Sequence, residues 1–267
     1  KEVGPGRLPD PPVLLDWVDR AASPKLLAGR TVVVSAGPTH EYIDPARFIA
    51  NPSTGRMGYA LARAAWVFGA EVTLVSGPTA LDAPAGVRLG EVTSARQMHQ
   101  AILQAAAGAD FVCKTAAVAD FRPAGRSEQK LEKSAVDRTL RLESNPDILA
   151  ELGKLYGAGG DQDTQTPVKK TPFLIGFAAE THDVLERAKA KRIRKGAHMI
   201  VANQIGGAQS AFGAESSRIS MLLGPPGAPE TRVVEYGPAT KRELAEVIWR
   251  EAVEFRGSGH TQTTEEP

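Results

Sequence analysis

The chain has 267 residues, 42% of them hydrophobic, enough for one large α/β domain with a sizeable core or for two small ones. Its formal net charge is only +1 although 24% of its residues are charged, so no global field marks a nucleic-acid or other polyanion-binding protein; any basic site must be local. The single cysteine, Cys113, excludes an intrachain disulfide framework and agrees with a reducing compartment.

No apolar run approaches the ~20 residues that span a bilayer. The opening Lys1-Glu2-Val3-Gly4-Pro5 lacks the apolar core of a signal peptide, so a soluble, cytoplasmic protein without a membrane partner is expected. Residues 1–26 are read as linker or the remnant of a preceding domain, with Gly and Pro dense over residues 1–13.

Short β-branched runs then alternate with Ala-rich helical stretches. Residues 31–35 predict a strand, 57–68 a helix, 71–76 a strand, 95–107 a helix and 110–115 a strand. The pattern resumes with a strand over 173–177, a helix over 184–195 and a strand over 199–202. Residues 217–223 and 232–236 then suit a terminal β-hairpin, followed by a helix over 241–255. Such alternation predicts a doubly wound, mostly parallel sheet in a single α/β domain over residues 27–256. Residues 122–144 look like a flap leaving the sheet, 156–171 like a surface loop and 257–267 like a disordered tail.

Several segments could carry chemistry. The first strand ends in Ser35-Ala36-Gly37-Pro38-Thr39, and a long loop leads to Asn51-Pro52-Ser53-Thr54-Gly55-Arg56-Met57-Gly58 at the head of a helix. Small residues there would let backbone N–H groups approach a phosphate, favoured by the helix dipole; a plain Gly turn with a Ser or Thr cap explains the same pattern. A dinucleotide site would need a tight glycine turn and an acid at the end of the second strand, where Leu74-Val75-Ser76-Gly77-Pro78 has none. The run Ala116-Ala117-Val118-Ala119-Asp120-Phe121-Arg122-Pro123 at a strand end could leave backbone groups open to a ligand and aim Asp120 into a crevice, or be a packed strand exit with a surface acid.

Asn145-Pro146-Asp147-Ile148-Leu149 opens a further helix. Lys130, in the flap, could close over a triphosphate, although most surface lysines do nothing of the kind. On the basic helix, Lys191 and Lys195 share one face while Arg192 and Arg194 point elsewhere. Such a cluster is either a solvated face or a phosphate-gripping pair.

In order, the segments at 36–39, 44–58, 116–123, 145–149, Gly176-Phe177-Ala178-Ala179-Glu180-Thr181 and Val201-Ala202-Asn203 resemble phosphopantothenoylcysteine synthetase. The resemblance covers residues 27–255. It implies a Rossmann-like fold, a homodimer, and a ligase of coenzyme A biosynthesis that joins 4'-phosphopantothenate and L-cysteine. The reaction would be driven by CTP with Mg2+ or Mn2+ through an acyl-cytidylate, without a flavin in this domain. It further implies that Asn51 holds the acyl intermediate and that Arg47 and Ala117 contact the phosphopantothenate. Lys130 would act on the activation step. Ala116, Asp120, Lys130, Pro146, Asp147, Ile148, Leu149, Phe177, Lys191 and Lys195 would form the nucleotide site; metal ligands are not implied.

In many bacteria the family is fused behind a flavin-dependent decarboxylase, and Gly4-Pro5-Gly6-Arg7-Leu8-Pro9 is similar to the end of that half. Two positions depart from the pattern. The flap reads Lys130-Leu131-Glu132-Lys133 where a third basic residue is usual, and Lys114-Thr115 stands where small or apolar residues are usual. Lys114 could face solvent or enter the crevice. Cys113 is expected in the core. A dinucleotide-dependent oxidoreductase and a non-catalytic phosphopantetheine-binding domain remain the alternatives.

Overall fold

A computed structural model describes residues 6, 8–132, 139–157, 170–204 and 216–258. The elements are α1 (Pro11–Ala22), β1 (Thr31–Ala36), β2 (Glu41–Tyr42), β3 (Phe48–Ile49), α2 (Arg56–Val67), β4 (Glu71–Ser76), β5 (Arg88–Glu91), α3 (Ala95–Ala106) and β6 (Phe111–Lys114), then β7 (Phe121–Pro123), β8 (Leu142–Ser144), α4 (Ile148–Tyr156), β9 (Phe173–Glu180), α5 (Val184–Lys195), β10 (Met199–Gln204), β11 (Ser216–Leu223), β12 (Arg232–Thr240) and α6 (Lys241–Gly257).

One eight-stranded sheet has the order β12-β11-β10-β9-β6-β1-β4-β5. The six strands from β10 to β5 run parallel, while β11 and β12 add antiparallel pairs at one edge. The near-continuous apolar run of β1 follows from burial on both faces. Val32 and Val34 pack with α2 and α6 residues such as Leu61, Ala65 and Trp249, whereas Val33 packs with Met98 and Ile102 of α3 and Leu152 of α4. Helix α2 comes so close to the sheet that a Cβ on Gly58 would lie 2.5 Å from the Ala36 Cβ, so only glycine fits there.

The doubly wound fold with its terminal hairpin is as the sequence implies, with four differences of detail. First, the expected amino-terminal linker contains α1: Pro11 and Pro12 occupy its first turn, where the missing N–H costs nothing. Its Trp17 packs edge-on against Trp66 at 4.9 Å, and Asp16 and Asp19 each pair with Arg63 of α2 at 2.5 Å. Second, β5 is an additional parallel edge strand, and its sequence Arg88-Leu89-Gly90-Glu91 has no apolar run to announce it. Third, the loop after β1 carries the small β2–β3 hairpin. Fourth, α5 does not leave Arg192 in solvent. That side chain is fully buried and donates to the carbonyls of Pro225, Ala228 and Glu230 at 2.6–2.8 Å, tying down the turn between β11 and β12.

The flap is rooted in the antiparallel β7–β8 pair. Residues 133–138 of the flap with Lys133, residues 158–169 of the expected surface loop, residues 259–267 of the tail, and residues 1–5 and 7 lie outside the described residues. Cys113 is in the core, and burial pushes its thiol pKa up, which suits packing and not nucleophilic chemistry. Among the described residues no helix is long and apolar enough to cross a membrane.

At the amino ends of the parallel strands, the buried Asp110 carboxylate accepts from Lys170 at 2.5 Å, Arg30 at 3.1 Å and the Thr31 N–H at 2.9 Å. Burial by itself would raise its pKa. The hydrogen bonds from Lys170 and Thr31 and the Lys170 charge outweigh burial and hold the carboxyl below its ordinary range. A carboxyl held low contributes stability above its unfolded pKa and loses it as pH falls through the folded value. Asp110→Asn is therefore expected to cost about 2 kcal/mol at neutral pH. Urea unfolding at several pH values should show the gap to the parent chain closing as the solution is acidified below the carboxylate range.

Candidate functional site

The carboxyl ends of β1 and β6 are adjacent where the chain order along the sheet reverses, the place where an open α/β sheet parts to form a crevice. The Ala116–Ala119 run leaves β6 there. Its amides are largely spoken for: Ala116 N–H donates to the Ser35 hydroxyl at 3.1 Å, Ala117 N–H to the Gly37 carbonyl at 2.9 Å and Ala119 N–H to the Thr39 hydroxyl at 3.0 Å. Ser35 and Thr39 are fully buried. The carbonyls are also engaged, Val118 by the Asn51 amide at 3.1 Å and Ala119 by the Asn145 amide at 2.9 Å. The expectation that this run leaves backbone groups open to a ligand is thus corrected; its small side chains leave space instead.

That space is a cavity of about 770 Å³ beyond the ends of β6 and β9, walled by the 116–121 segment, the start of α4 and one face of α5. Ala116, Asp120, Pro146, Asp147, Ile148, Leu149, Phe177, Lys191 and Lys195 all line it. Asp147 caps α4 by accepting from Ala150 N–H at 3.0 Å and also pairs with Lys195. Burial alone would raise the Asp147 pKa; the Lys195 hydrogen bond, the cap and nearby ammonium charges bring it below normal. Lys191 donates to the Phe177 carbonyl at 2.8 Å, and burial pulls its pKa down.

Three further cations line the same cavity: Lys114, Arg187 and Arg194. Arg187, Lys191, Arg194 and Lys195 stand on one helical face by their spacing of four, three and one, so Arg194 does not point elsewhere as the sequence suggested. Lys114 enters the crevice and does not face solvent. Asn145 was quoted only as part of a motif, yet it stitches the wall together: besides its amide contact to Ala119, its N–H donates to the Asp120 carbonyl at 2.8 Å.

Arg47, Asn51, Ala117 and Lys130 are not among the residues lining this cavity. Ala117 forms an isolated parallel bridge with Pro38, continuing the β1–β6 pairing. Asn51 is exposed at the end of the loop that precedes α2, and Lys130 is exposed on the flap. Gly55, at φ +75°, caps α2 without a side-chain hydrogen bond, so the Ser or Thr cap of the plain-turn reading is not what begins this helix. A second cavity of about 700 Å³, lined in part by Tyr42, Arg96, Arg122 and Glu143, borders the flap base.

The loop and the flap are clasped by a pair that sequence reasoning only half identified. The buried Asp44 carboxylate accepts from Ala46 and Arg47 N–H at 2.8 Å, from the Arg47 Nε at 2.9 Å and from Leu131 N–H at 3.2 Å. Arg47 in turn donates to the Leu131 carbonyl at 2.9 Å. The Arg47 guanidinium, against the opposing cost of burial, holds the Asp44 carboxyl well below the usual carboxylate range.

The sequence matches the family described as DNA/pantothenate metabolism flavoprotein C-terminal domain over residues 27–255. It is 41% identical over 223 residues to the coenzyme A biosynthesis bifunctional protein CoaBC of Vibrio parahaemolyticus, covering 83% of this chain and 53% of that protein. It is also 41% identical over 225 residues to CoaBC of Bacillus subtilis, covering 83% and 52%. The chain therefore spans about half the length of the curated relatives it matches. A crystal structure of the C-terminal domain of a CoaBC superposes with a TM-score of 0.70 at 37% identity, covering 88% of this chain and all of that one.

Asp44→Asn keeps the size of the side chain but weakens every bond of the clasp. Limited trypsin digestion is expected to cut the variant at Arg126 and Lys130 several-fold faster than the parent chain, with little change in the sheet's unfolding transition. Equal cleavage rates would remove Asp44 from the flap's support.

Proposed function

Because the chain belongs to the family of DNA/pantothenate metabolism flavoprotein C-terminal domains, we propose that it is a synthetase joining 4'-phosphopantothenate and L-cysteine in coenzyme A biosynthesis. What supports this reading most is the gathering of nine of the ten nucleotide-site residues implied by resemblance, all but Lys130, around one crevice, where five cations meet three carboxylates. In the proposed reaction a carboxylate oxygen of phosphopantothenate bonds to the α-phosphorus of CTP as the bond to pyrophosphate breaks. The cysteine amine then bonds to the acyl carbon as CMP leaves.

Both steps bring anions together, so the residues' work is chiefly positioning and charge neutralisation. Lys191 and Lys195 would hold the triphosphate, with Asp120, Phe177 and the start of α4 around the nucleoside. Lys130 would act from the flap on the activation step, and Arg47 and Ala117 would border the phosphopantothenate. The Asn51 amide, resting on the Val118 carbonyl at 3.1 Å, could turn to donate to the acyl carbonyl without competing for protons with the incoming amine. No covalent nucleophile is needed.

A divalent cation, Mg2+ or Mn2+, would supply Lewis-acid neutralisation of the phosphates. The carboxylates of Asp120, Asp147 and Glu180 line the crevice, and the rest of the cation's ligands would be phosphate oxygens and water. A homodimer, a cytoplasmic location and fusion to a flavin-dependent decarboxylase half belong to the same reading.

The deciding assay is pyrophosphate release with 4'-phosphopantothenate, cysteine and Mg2+, supplying CTP or ATP in parallel. Release that requires phosphopantothenate and favours CTP is expected; none with either nucleotide overturns the proposal. Lys191→Ala should raise the KM for CTP about tenfold or more, while Lys189→Ala should not. Asn51→Ala should still release pyrophosphate but couple little cysteine, and normal coupling would remove Asn51 from the acyl site.

A further inference from the structure

The parallel strand β6 begins Phe111-Val112-Cys113, with Phe111 and Cys113 packed on the α2–α6 side and Val112 on the side of α3, α4 and α5. The alternation of side chains along a strand sends the next residue, Lys114, to the same side as Val112. One residue further along, that side is no longer core but crevice, and Lys114 lines it. In register its neighbours are Ser35 on β1 and Gly176 on β9. A lysine in the middle of a sheet is costly, because desolvating an ammonium without a counter-charge is unfavourable.

The crevice does not repay that cost internally. Lys195 has Asp147, and Arg187 has Glu180 at 3.6 Å. Among the described residues Lys114 and Lys191 have no carboxylate within ion-pair distance. Each is parked on a main-chain carbonyl, Lys114 on Ala116 just past β6 at 3.3 Å and Lys191 on Phe177 of β9 at 2.8 Å.

We propose that Lys114 is a phosphate-binding residue of this crevice, gripping the phosphate chain of the nucleoside triphosphate together with Lys191. The inference rests on the synthetase reading and adds to it a contact that the family pattern, small or apolar at this position, does not supply. Burial, reinforced by the Lys191 charge and opposed by Asp147 and Asp120, pulls the Lys114 pKa down to about 8. The adjacent Cys113 thiol on the same strand is kept protonated, and so uncharged, by burial, while Arg187, Arg194, Lys195 and Glu180 face the same crevice from β9 and α5. A bound polyanion stabilises the ammonium and raises that pKa, so nucleotide binding near this pH takes up a proton.

The test is calorimetric titration of CTP with Mg2+, and separately of 4'-phosphopantothenate, into the parent chain, Lys114→Gln and Lys114→Arg. The titrations are made at about pH 7 and at about pH 9.5, on either side of the lowered lysine pKa. The expected result is CTP binding about tenfold or more weaker in Lys114→Gln at the lower pH, with phosphopantothenate binding unchanged. The parent should lose that advantage at the higher pH. Lys114→Arg, whose charge does not titrate, should keep at the higher pH the advantage over Lys114→Gln that the parent loses, any loss through Lys191 being common to all three chains.

Equal CTP affinity in the parent and Lys114→Gln at both pH values would overturn the assignment, as would a loss confined to phosphopantothenate. Failure of the parent itself to bind CTP would overturn the synthetase reading and this inference with it. Removing a desolvated charge should leave the apo thermal midpoint of Lys114→Gln equal or higher. If that variant does not fold, the Lys114→Arg pair of titrations decides: affinity falling with pH as in the parent refutes the role.

Discussion

Everything at the site depends on how two neighbouring parallel strands stay joined beyond their ends. Strands β1 and β6 stay paired past their last residues, with Pro38 bridging Ala117, while the crevice opens on the far side of β6 beyond the end of β9; irregular backbone there would otherwise strand polar groups in the interior. The buried hydroxyls of Ser35 and Thr39 resolve this by accepting from the amides of Ala116 and Ala119 in the adjoining segment. Once the amides are fixed, the carbonyls of the same run point outward as a row of acceptors, and Lys114, Asn51 and Asn145 each take one. These side chains are therefore held by main chain, and the main chain by buried hydroxyls.

Charge follows the same economy. The carboxylate partner of Lys195, Asp147, also caps α4, so that pair fixes architecture. Where a cation has only a carbonyl, as for Lys191 and Lys114, the interaction is weaker than a phosphate contact and is readily exchanged for one. Under the proposed reaction Lys195 both braces the wall and faces the phosphates, whereas Lys191 and Lys114 are held for the ligand.

The periodicities that declare strands buried on both faces and Ala-rich helices are local, and they placed the central sheet and its flanking helices well. What escaped was decided by tertiary contact. Arg88-Leu89-Gly90-Glu91 becomes a strand only because β4 offers an open edge, and Pro11-Pro12 begins a helix because Trp66 and Arg63 wait to receive it. Arg192 read as one more surface charge on a basic helix, yet the hairpin turn folds over it and supplies carbonyls to satisfy it. The crevice residues near α4 and α5 were legible as motifs. Lys114 was legible only as an anomaly, since its direction depends on strand phase, and Asp44 was hidden because its partner Leu131 lies far along the chain.

The clasp of Asp44 and Arg47 engages Leu131 solely through its N–H and carbonyl. Such a grip is blind to what side chain the flap carries. Positions 131 and 132 can drift in composition, and an acid such as Glu132 can replace a base, without releasing the segment. The specificity of the grip then resides in the two loop side chains, Asp44 and Arg47, and not in the segment they hold.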